Sequence, residues 1–365
     1  MGSAELAIIV PTFKERDNIA GVIEAVDAAL PGVAWEIVFV DDDSPDQTAE
    51  VVREHARRDP RVRVVHRVGR RGLSSACVEG VLATAAPIIA VMDADRQHDE
   101  RALVKMLEVL RTQPVDLVVG SRYVDGGGIG DWDKKRAAMS RFATQLANRI
   151  TGTPISDPMS GFFMLRREAF MAALPDLSSI GFKILLDIAA STPQPLRIAE
   201  VPYEFRSRVH GESKLDSVVL WEYLLLLLDK AIGHIVPVRF ISFALVGGSG
   251  VFVSMTVLFV LFKGLHTTFQ FGQTVATIVA ITTNFLLNNA LTYRDRRLKG
   301  WKLFLGWLTF NLVSAVGAIG NVGIASYVMD YKHYHGSWIV SALAGIAVGV
   351  VWNYAASAIV TWRKK

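Results

Sequence analysis

The stretch Val91–Asp99 reads VMDADRQHD and follows the apolar run PIIA. Asp93 and Asp95 are separated by one residue, and Gln97 follows two residues later. On an extended loop, side chains at this alternate spacing face one side and can offer three oxygen donors to one ion. Because carboxylate and amide oxygens are the ligands of hard cations, Asp93, Asp95 and Gln97 are a candidate Mg²⁺ or Mn²⁺ site. The alternative is a surface loop whose carboxylates cap the next helix, because D-x-D is common in such loops.

Two further polar groups also come directly after apolar runs. The string PTFKE (residues 11–15) follows Leu6–Val10, and Asp41–Asp43 follows Ile37–Val40. In an open parallel sheet, ligands bind outside the carboxyl ends of the strands, which is where these polar residues would lie. Asp46, five residues beyond the start of the acidic run, is predicted to cap the next helix.

The elements that position these residues alternate in type. Short apolar runs are separated by stretches with helical patterning, and the runs are apolar on both faces. This pattern predicts an α/β domain with a mostly parallel sheet covered on both sides. A dinucleotide-binding loop and a P-loop are both excluded, because the first strand is not followed by G-x-G-x-x-G and the chain has no Walker A motif. The predicted strands are Leu6–Val10, Ile37–Val40, Val62–Val65, Ile88–Met92 and Leu117–Val119, and the helices include Asp17–Leu30, Asp46–Arg58 and Glu100–Arg111.

The last third of the chain has a different composition. The mean hydropathy of the 365 residues is +0.32, and the excess lies in four long apolar segments. Each segment approaches or exceeds the roughly 20 residues that a helix needs to span a bilayer, so we predict an integral membrane protein with four spans. The segments are Val238–Leu265, Gly272–Leu291, Leu303–Val328 and Ser337–Trp362.

The formal net charge is +4, and the basic residues near the spans are unevenly distributed. They are concentrated between the second and third spans and at the C-terminus, as in Arg296 and Arg363. By the positive-inside rule, the N-terminal domain, this loop and the C-terminus face the cytoplasm. The expected electrostatic partner is anionic lipid and not nucleic acid.

Two helical stretches between the soluble and membrane parts are unusual. Asp133–Ile150 combines an apolar face with flanking basic residues, and Ser217–Gly233 is very apolar but too short to span a bilayer. Both are predicted to lie in the membrane interface. The predicted organisation is a soluble α/β domain over residues 1–215, an interfacial helix and linker over 216–236, and a four-span domain over 237–365.

Seven strings that run in order along residues 6–216 carry a family resemblance. Through these strings, the N-terminal domain resembles family-2 glycosyltransferases of the GT-A fold. Within that family it resembles the dolichol- and polyprenyl-phosphate mannose synthases. The membrane part, with RFISFALVGGSGV and TTNFLLNNALTYR, is similar to the GtrA-type four-span domain. The seven strings are IVPTFKERDNI, EIVFVDDDSPDQT, GRRGLSSACVEG, MDADRQH, VGSRYVDGGGIGDWDKKRAAMSR, DPMSGFFMLRREAF and VPYEFRSRVHGESKL.

The resemblance implies an inverting transfer of mannose from GDP-mannose to a polyprenyl or dolichyl phosphate, at the cytoplasmic face of a prokaryotic plasma membrane. It also implies site roles for matching positions, with Asp95, Arg122, Arg208 and Lys214 as the catalytic group. The donor nucleotide is assigned to Pro11, Phe13, Glu15, Asp41 and Asp42, the metal and diphosphate to Asp93, Asp95 and Gln97, the donor phosphates to Arg208 and Lys214, and the acceptor phosphate to Arg122, Arg136 and Ser140.

Three other functions are alternatives to this one. The first is transfer of glucose from UDP-glucose to the same kind of lipid acceptor. The second is a lipid-linked sugar translocase whose N-terminal domain is regulatory. The third, a processive polysaccharide synthase, lacks its Q-x-x-R-W motif here. The G-x-x-x-G at Gly345–Gly349 is a candidate helix-packing site, within one chain or between two copies.

Overall fold

The structure is a computed structural model that describes residues 4–128, 144–145, 148, 154–178, 183–204, 217–233, 236–330 and 338–363. Compact packing divides the chain into two units, Met1–Ile232 and Gly233–Lys365. We describe each unit by itself. The helices long and apolar enough to span a membrane lie after the boundary, and the first of them begins at Val238.

The first unit is built on one seven-stranded sheet. Its strands are β1 (Leu6–Thr12), β2 (Trp35–Asp41), β3 (Val62–His66), β4 (Ile88–Val91), β5 (Leu117–Ser121), β6 (Phe163–Arg166) and β7 (Ile198–Pro202). Their order in the sheet is β3-β2-β1-β4-β6-β5-β7. Strand β6 is antiparallel to both of its neighbours, and all other pairings are parallel. The predicted α/β class with a mostly parallel sheet is confirmed.

Helices cover both faces of this sheet. They are α1 (Ile19–Ala29), α2 (Thr48–Ala56), α3 (Leu73–Leu82), α4 (Ala102–Thr112), α5 (Arg167–Ala173), α6 (Ile184–Ser191) and α7 (Ser217–Ile232). Alternate strand residues point to opposite faces, so Ile8 packs in one apolar cluster and Ile9 in the other. This double burial explains why the strands read as continuous apolar runs rather than alternating ones. Short 3₁₀ segments at Arg16–Asn18 and Leu174–Asp176 complete the unit.

Helix α7, the last helix of the first unit, packs against α6. Tyr223, Leu226 and Leu227 bury against Leu186 of α6. At the C-terminal end of α7, the ammonium of Lys230 lies 2.6 Å from the Asp187 carboxylate. Part of its apolar surface is therefore covered by protein, and the predicted interfacial position stays a prediction. The other predicted interfacial helix, Asp133–Ile150, lies outside the described residues except for positions 144, 145 and 148.

Within the described part of the second unit, four helices are long and apolar enough to cross a membrane, over Val238–Gly264, Phe269–Thr292, Trp301–Val328 and Val340–Val360. This confirms the predicted number of spans. The underlying helices are α8 (Val238–Phe259), α9 (Phe269–Leu287), α10 (Trp301–Asp330) and α11 (Trp338–Val360). Single π-turns extend α8 over Val260–Gly264 and α9 over Asn288–Thr292, and a 3₁₀ segment follows at Arg294–Arg296.

Candidate active site

The site is assembled at the sheet edge where the parallel strands end. Asp41, the last residue of β2, is fully buried and accepts hydrogen bonds from three groups. These are the Thr12 hydroxyl at 3.2 Å, the Ser44 hydroxyl at 2.6 Å and the Ser44 backbone N–H at 3.0 Å. Asp41 therefore ties the end of β1 to the loop after β2, and any contact with a nucleotide would share its carboxylate with these groups.

Asp42 is held by a second buried network. An Arg67 guanidinium nitrogen lies 2.5 Å from one carboxylate oxygen, and the Gly72 backbone N–H donates to the other at 2.6 Å. Arg67 itself is 2% exposed and also donates to the Ser75 hydroxyl at 2.6 Å. Burial raises the pKa of Asp42, against the opposing effects of the Gly72 N–H and the Arg67 charge. Asp42 thus fixes the loop before α3.

Three more of the predicted donor-binding residues lie at the end of β1 and in the loop after it. Pro11 is paired with Val40 inside the sheet, and Phe13 is half-buried with the Arg71 guanidinium 4.1 Å from its ring centroid. The Glu15 carboxylate accepts a hydrogen bond from the Asn18 side chain at 2.7 Å. An aromatic face with a cation above it suits a planar base, because both groups stack on π surfaces.

Asp93 and Asp95 follow β4 in a tight turn. The Asp95 side chain is almost fully buried and accepts the Gln97 backbone N–H at 3.1 Å, whereas the Asp93 side chain is 41% exposed. Arg96, the residue after Asp95, has a φ of 60°, a left-handed conformation that reverses the chain within the turn. A Cβ at Gly161 would lie 2.8 Å from an Asp93 carboxylate oxygen. The absence of a side chain at Gly161 therefore makes space for this carboxylate.

The buried side chain of His98 is hydrogen-bonded to this turn. Its Nδ1 accepts the Asp93 backbone N–H at 3.3 Å, and its ring stacks on Phe162 with centroids 4.9 Å apart. Tyr203 packs edge-on at 5.6 Å. Burial lowers the pKa of His98 to about 4, so the ring is neutral at pH 7. His98 therefore holds the backbone of the acidic turn and does not contribute a positive charge.

Arg122 lies just after β5 and forms a buried ion pair. Its Nε and one terminal nitrogen donate to the two Asp157 oxygens at 2.6 and 2.9 Å. The exposed fractions of the two side chains are 10% and 0%. The bidentate pairing fixes the plane of the guanidinium. Arg122 was predicted to receive the acceptor phosphate, and any such contact would use the part of its guanidinium that Asp157 leaves uncovered.

Lys183 contributes a further cation near the same place. It is partly buried, and its ammonium donates to the Met159 carbonyl at 3.4 Å. Burial and the nearby Arg122 charge lower the pKa of Lys183, while the carboxylates of Asp93 and Asp157 act in the opposite direction. Two cations and two anions thus influence one another at this edge of the sheet.

Four of the predicted site residues lie outside the described residues. They are Arg136 and Ser140, assigned to the acceptor phosphate, and Arg208 and Lys214, assigned to the donor phosphates. Their roles stay predictions. Among the residues that the structure describes, no three His, Cys, Asp or Glu side chains are grouped as ligands for one ion.

Sequence reasoning missed Asp157, Gly161 and Lys183. Ligands of a parallel sheet are expected at the carboxyl ends of its strands, but β6 is antiparallel, so its beginning lies at that edge. The segment before β6 consequently delivers Asp157 and Gly161 to the site. The string DPMSGFF, a compact polar and glycine-containing segment before an apolar strand, was the available signal.

Comparisons with known proteins match each unit to a protein family. Residues 7–174 match the model of glycosyl transferase family 2, and residues 242–362 match the model of the GtrA/DPMS transmembrane domain. The first unit is therefore a family-2 glycosyltransferase of the predicted GT-A class, joined to a GtrA-type membrane domain.

Individual relatives define the family more narrowly. The chain is 35% identical to dolichol-phosphate mannosyltransferase of Pyrococcus furiosus, over 98% of this chain and 99% of that protein. It is 38% identical to the Saccharomyces cerevisiae enzyme of the same name, over 61% and 85%, and 33% identical to polyprenol monophosphomannose synthase of Mycolicibacterium smegmatis, over 57% and 80%. The chain belongs to the dolichol-phosphate mannosyltransferase family of enzymes. Among solved structures, glucosyl-3-phosphoglycerate synthase of Mycobacterium tuberculosis is similar over 62% of this chain and 79% of its own, with 17% identity and a TM-score of 0.49.

Proposed function

We propose that this chain transfers mannose from GDP-mannose to the phosphate of a polyprenyl or dolichyl phosphate, with inversion at the anomeric carbon. One observation carries the proposal: the match to the Pyrococcus furiosus mannosyltransferase extends over 98% of the chain, across both units. A water-soluble sugar donor and an acceptor that cannot leave the bilayer together account for a soluble catalytic unit followed by four spans.

A Mg²⁺ or Mn²⁺ ion fits the acidic turn after β4. Asp93 offers a partly exposed carboxylate, Asp95 lies on the same turn, and Gln97 can add an amide oxygen. Two carboxylates are a sparse ligand set, but Mg²⁺ in phosphate-transfer sites is often held by one or two carboxylates together with substrate phosphates and water. When bound there, the ion would neutralise negative charge on the donor diphosphate.

The proposed reaction requires the protein side chains to bind and align the two substrates more than to transfer protons. The nucleophile is a phosphate monoester, whose second pKa near 6 leaves it largely ionised at neutral pH, so no strong general base is required. Catalysis then depends on aligning the acceptor phosphate, the anomeric carbon and the departing diphosphate. Arg122 and Lys183, together with Arg208 and Lys214, are the cations proposed to hold two anionic substrates close together.

Inside this arrangement, the buried partners serve as positioning groups. Asp157 fixes the guanidinium of Arg122, and His98 fixes the backbone of Asp93. Phe13, with Arg71 above it, is proposed to stack against the guanine base. The proposed location is the plasma membrane of a prokaryote, with the catalytic unit on the cytoplasmic side.

A donor-dependence assay tests the proposal. Purified full-length protein is incubated with polyprenyl phosphate vesicles and either GDP-mannose or UDP-glucose, with and without EDTA. We expect mannosyl lipid from GDP-mannose only, and no product after chelation. Preferential glucose transfer would overturn the proposed donor. Lipid movement between leaflets without sugar transfer would instead indicate a translocase with a regulatory N-terminal unit.

A further inference from the structure

Two segments of the membrane unit repeat in sequence. SFALVGGSG (residues 242–250) in α8 corresponds to TFNLVSAVG (309–317) in α10. NFLLNNALTYR (284–294), which covers the end of α9, corresponds to NYAASAIVTWR (353–363) at the end of α11. The pattern of burial repeats together with the sequence. Phe243 and Phe310 are both buried, while Leu245 and Leu312, two positions later, are both exposed.

Each pair of helices is joined by the same two contacts. In the hairpin α8–α9, the hydroxyls of Ser242 and Thr292 are 2.7 Å apart, and in the hairpin α10–α11 those of Thr309 and Thr361 are 3.2 Å apart. Deeper in each hairpin, a glycine faces an asparagine. A Cβ at Gly250 would overlap the Asn284 side chain, and one at Gly317 would overlap that of Asn353. These four hydroxyl residues, two glycines and two asparagines occupy matching positions of the repeat.

Both hairpins also end in the same uncommon turn. The Tyr293 backbone N–H donates to the Asn288 carbonyl at 2.8 Å, and the Trp362 N–H donates to the Ser357 carbonyl at 2.9 Å. Each bond joins residues five positions apart, the π-type geometry that is rare in proteins. Because these residues again match, the repeat extends to backbone geometry.

The contacts between the hairpins are reciprocal. Phe243 packs on Tyr354 with ring centroids 5.7 Å apart, and the matching residues Phe310 and Phe285 are also 5.7 Å apart. The last matching pair, Tyr293 and Trp362, stack on each other at 4.1 Å with an interplanar angle of 5°. In an isologous interface residue i of one copy contacts j of the other and j contacts i, as seen here.

From these matches we infer that the membrane unit consists of two copies of one helical hairpin, which bind each other through a self-complementary aromatic surface. The first helices of the two hairpins run in the same direction through the membrane, so the pseudo-twofold axis lies along the membrane normal. It passes between Phe243 and Phe310 and between Tyr293 and Trp362. The partner that this surface fits is a second copy of the same hairpin.

One departure from the symmetry has a physical reason. Asn289 corresponds to Ala358 in the second hairpin. The Asn289 side chain donates to the Leu298 carbonyl at 3.2 Å and accepts the Leu298 N–H at 2.8 Å. Leu298 belongs to the connection from the first hairpin into α10, so Asn289 holds the segment that links the two hairpins.

An exchange of equivalent residues tests the inference. In full-length protein in detergent, we compare Tyr293→Trp/Trp362→Tyr with the control Tyr354→Trp/Trp362→Tyr, which makes the same changes of residue type but moves the indole to a non-equivalent position. Both variants lose the hydrogen bond that the Trp362 indole N–H donates to the Asn289 side chain at 3.1 Å, so this cost is common to them. We expect the control to melt on the order of 5 °C or more below the first variant. Equal losses in both would overturn the inference.

Glycine variants provide a second measurement. Gly250→Ala and Gly317→Ala should each lower the melting temperature by a similar amount, on the order of 5 °C, because each added methyl meets the matching asparagine. Gly248→Ala is the control, since a Cβ there has no heavy atom within 4 Å among the described residues, and it should melt like wild type. If only one of the two buried glycines were sensitive, the hairpins would not be equivalent.

Discussion

The buried pair Arg122–Asp157 gives a quantitative prediction, because the same unit contains an exposed pair of the same geometry. Arg197 and Asp116 are also bidentate, at 2.9 and 2.7 Å, but their side chains are 62% and 22% exposed. Arg122 and Asp157 are 10% and 0% exposed. The two pairs therefore differ mainly in how much water reaches them.

Asp157→Ala should be strongly destabilising, because it leaves the Arg122 charge buried without its partner, at a cost of about 3–5 kcal/mol. For a unit of this size, that cost lowers the melting temperature by on the order of 10 °C. Asp116→Ala removes an exposed pair that contributes about 0–1 kcal/mol, so the expected decrease is no more than about 4 °C.

Thermal unfolding of the detergent-purified proteins checks both values. A third variant, Arg122→Met/Asp157→Ala, removes both charges and should recover much of the lost stability. It should still transfer little mannose if Arg122 binds the acceptor phosphate. Equal melting temperatures for Asp157→Ala and Asp116→Ala would refute the reasoning, as would a double variant less stable than Asp157→Ala.

Four further predictions concern single positions. Gly161→Ala should reduce transfer by crowding the Asp93 carboxylate, whereas Gly128→Ala, whose Cβ would meet only Glu204 at 3.7 Å, should stay close to wild type in the same turnover assay. Lys183→Met should lower kcat or raise KM for either phosphate substrate while the protein still inserts into membranes, because a cation of the site is lost. The Cys77 thiol is buried and its pKa is raised by burial, so a maleimide should label it only after denaturation. The Arg111 hydrogen bond lowers the pKa of Glu5. The stability gained from this pair is therefore complete above the ordinary pKa of 4.5 and is lost as the pH falls. The melting temperatures of wild type and Glu5→Gln should converge in acid.

Much of the architecture could be predicted because local patterns carry it. Continuous apolar runs separated by amphipathic helices specify a sheet buried on both faces, and the acidic residues after β2 and β4 indicated the functional edge. The four spans could be read from length and hydropathy alone.

The predicted roles of Asp41 and Asp42 show where local patterns stop being sufficient. Both aspartates follow a strand, and the sequence alone presents them as equivalent candidates for binding the donor. In the folded unit their carboxylates are occupied by Thr12 and Ser44 in one case and by Arg67 and Gly72 in the other. Those partners come from other strands and loops, so no local motif could reveal them.

The sequence by itself determined the α/β class, the four spans, the acidic turn at Asp93 and Asp95, and the enzyme family, because each depends on residues close together in the chain. Only the tertiary structure decided that β6 runs antiparallel and brings Asp157 beneath Arg122. It also decided that His98 is neutral, since its burial against Phe162 and Tyr203 lowers its pKa. These features depend on contacts between distant segments and on the exclusion of water, which the order of residues does not record.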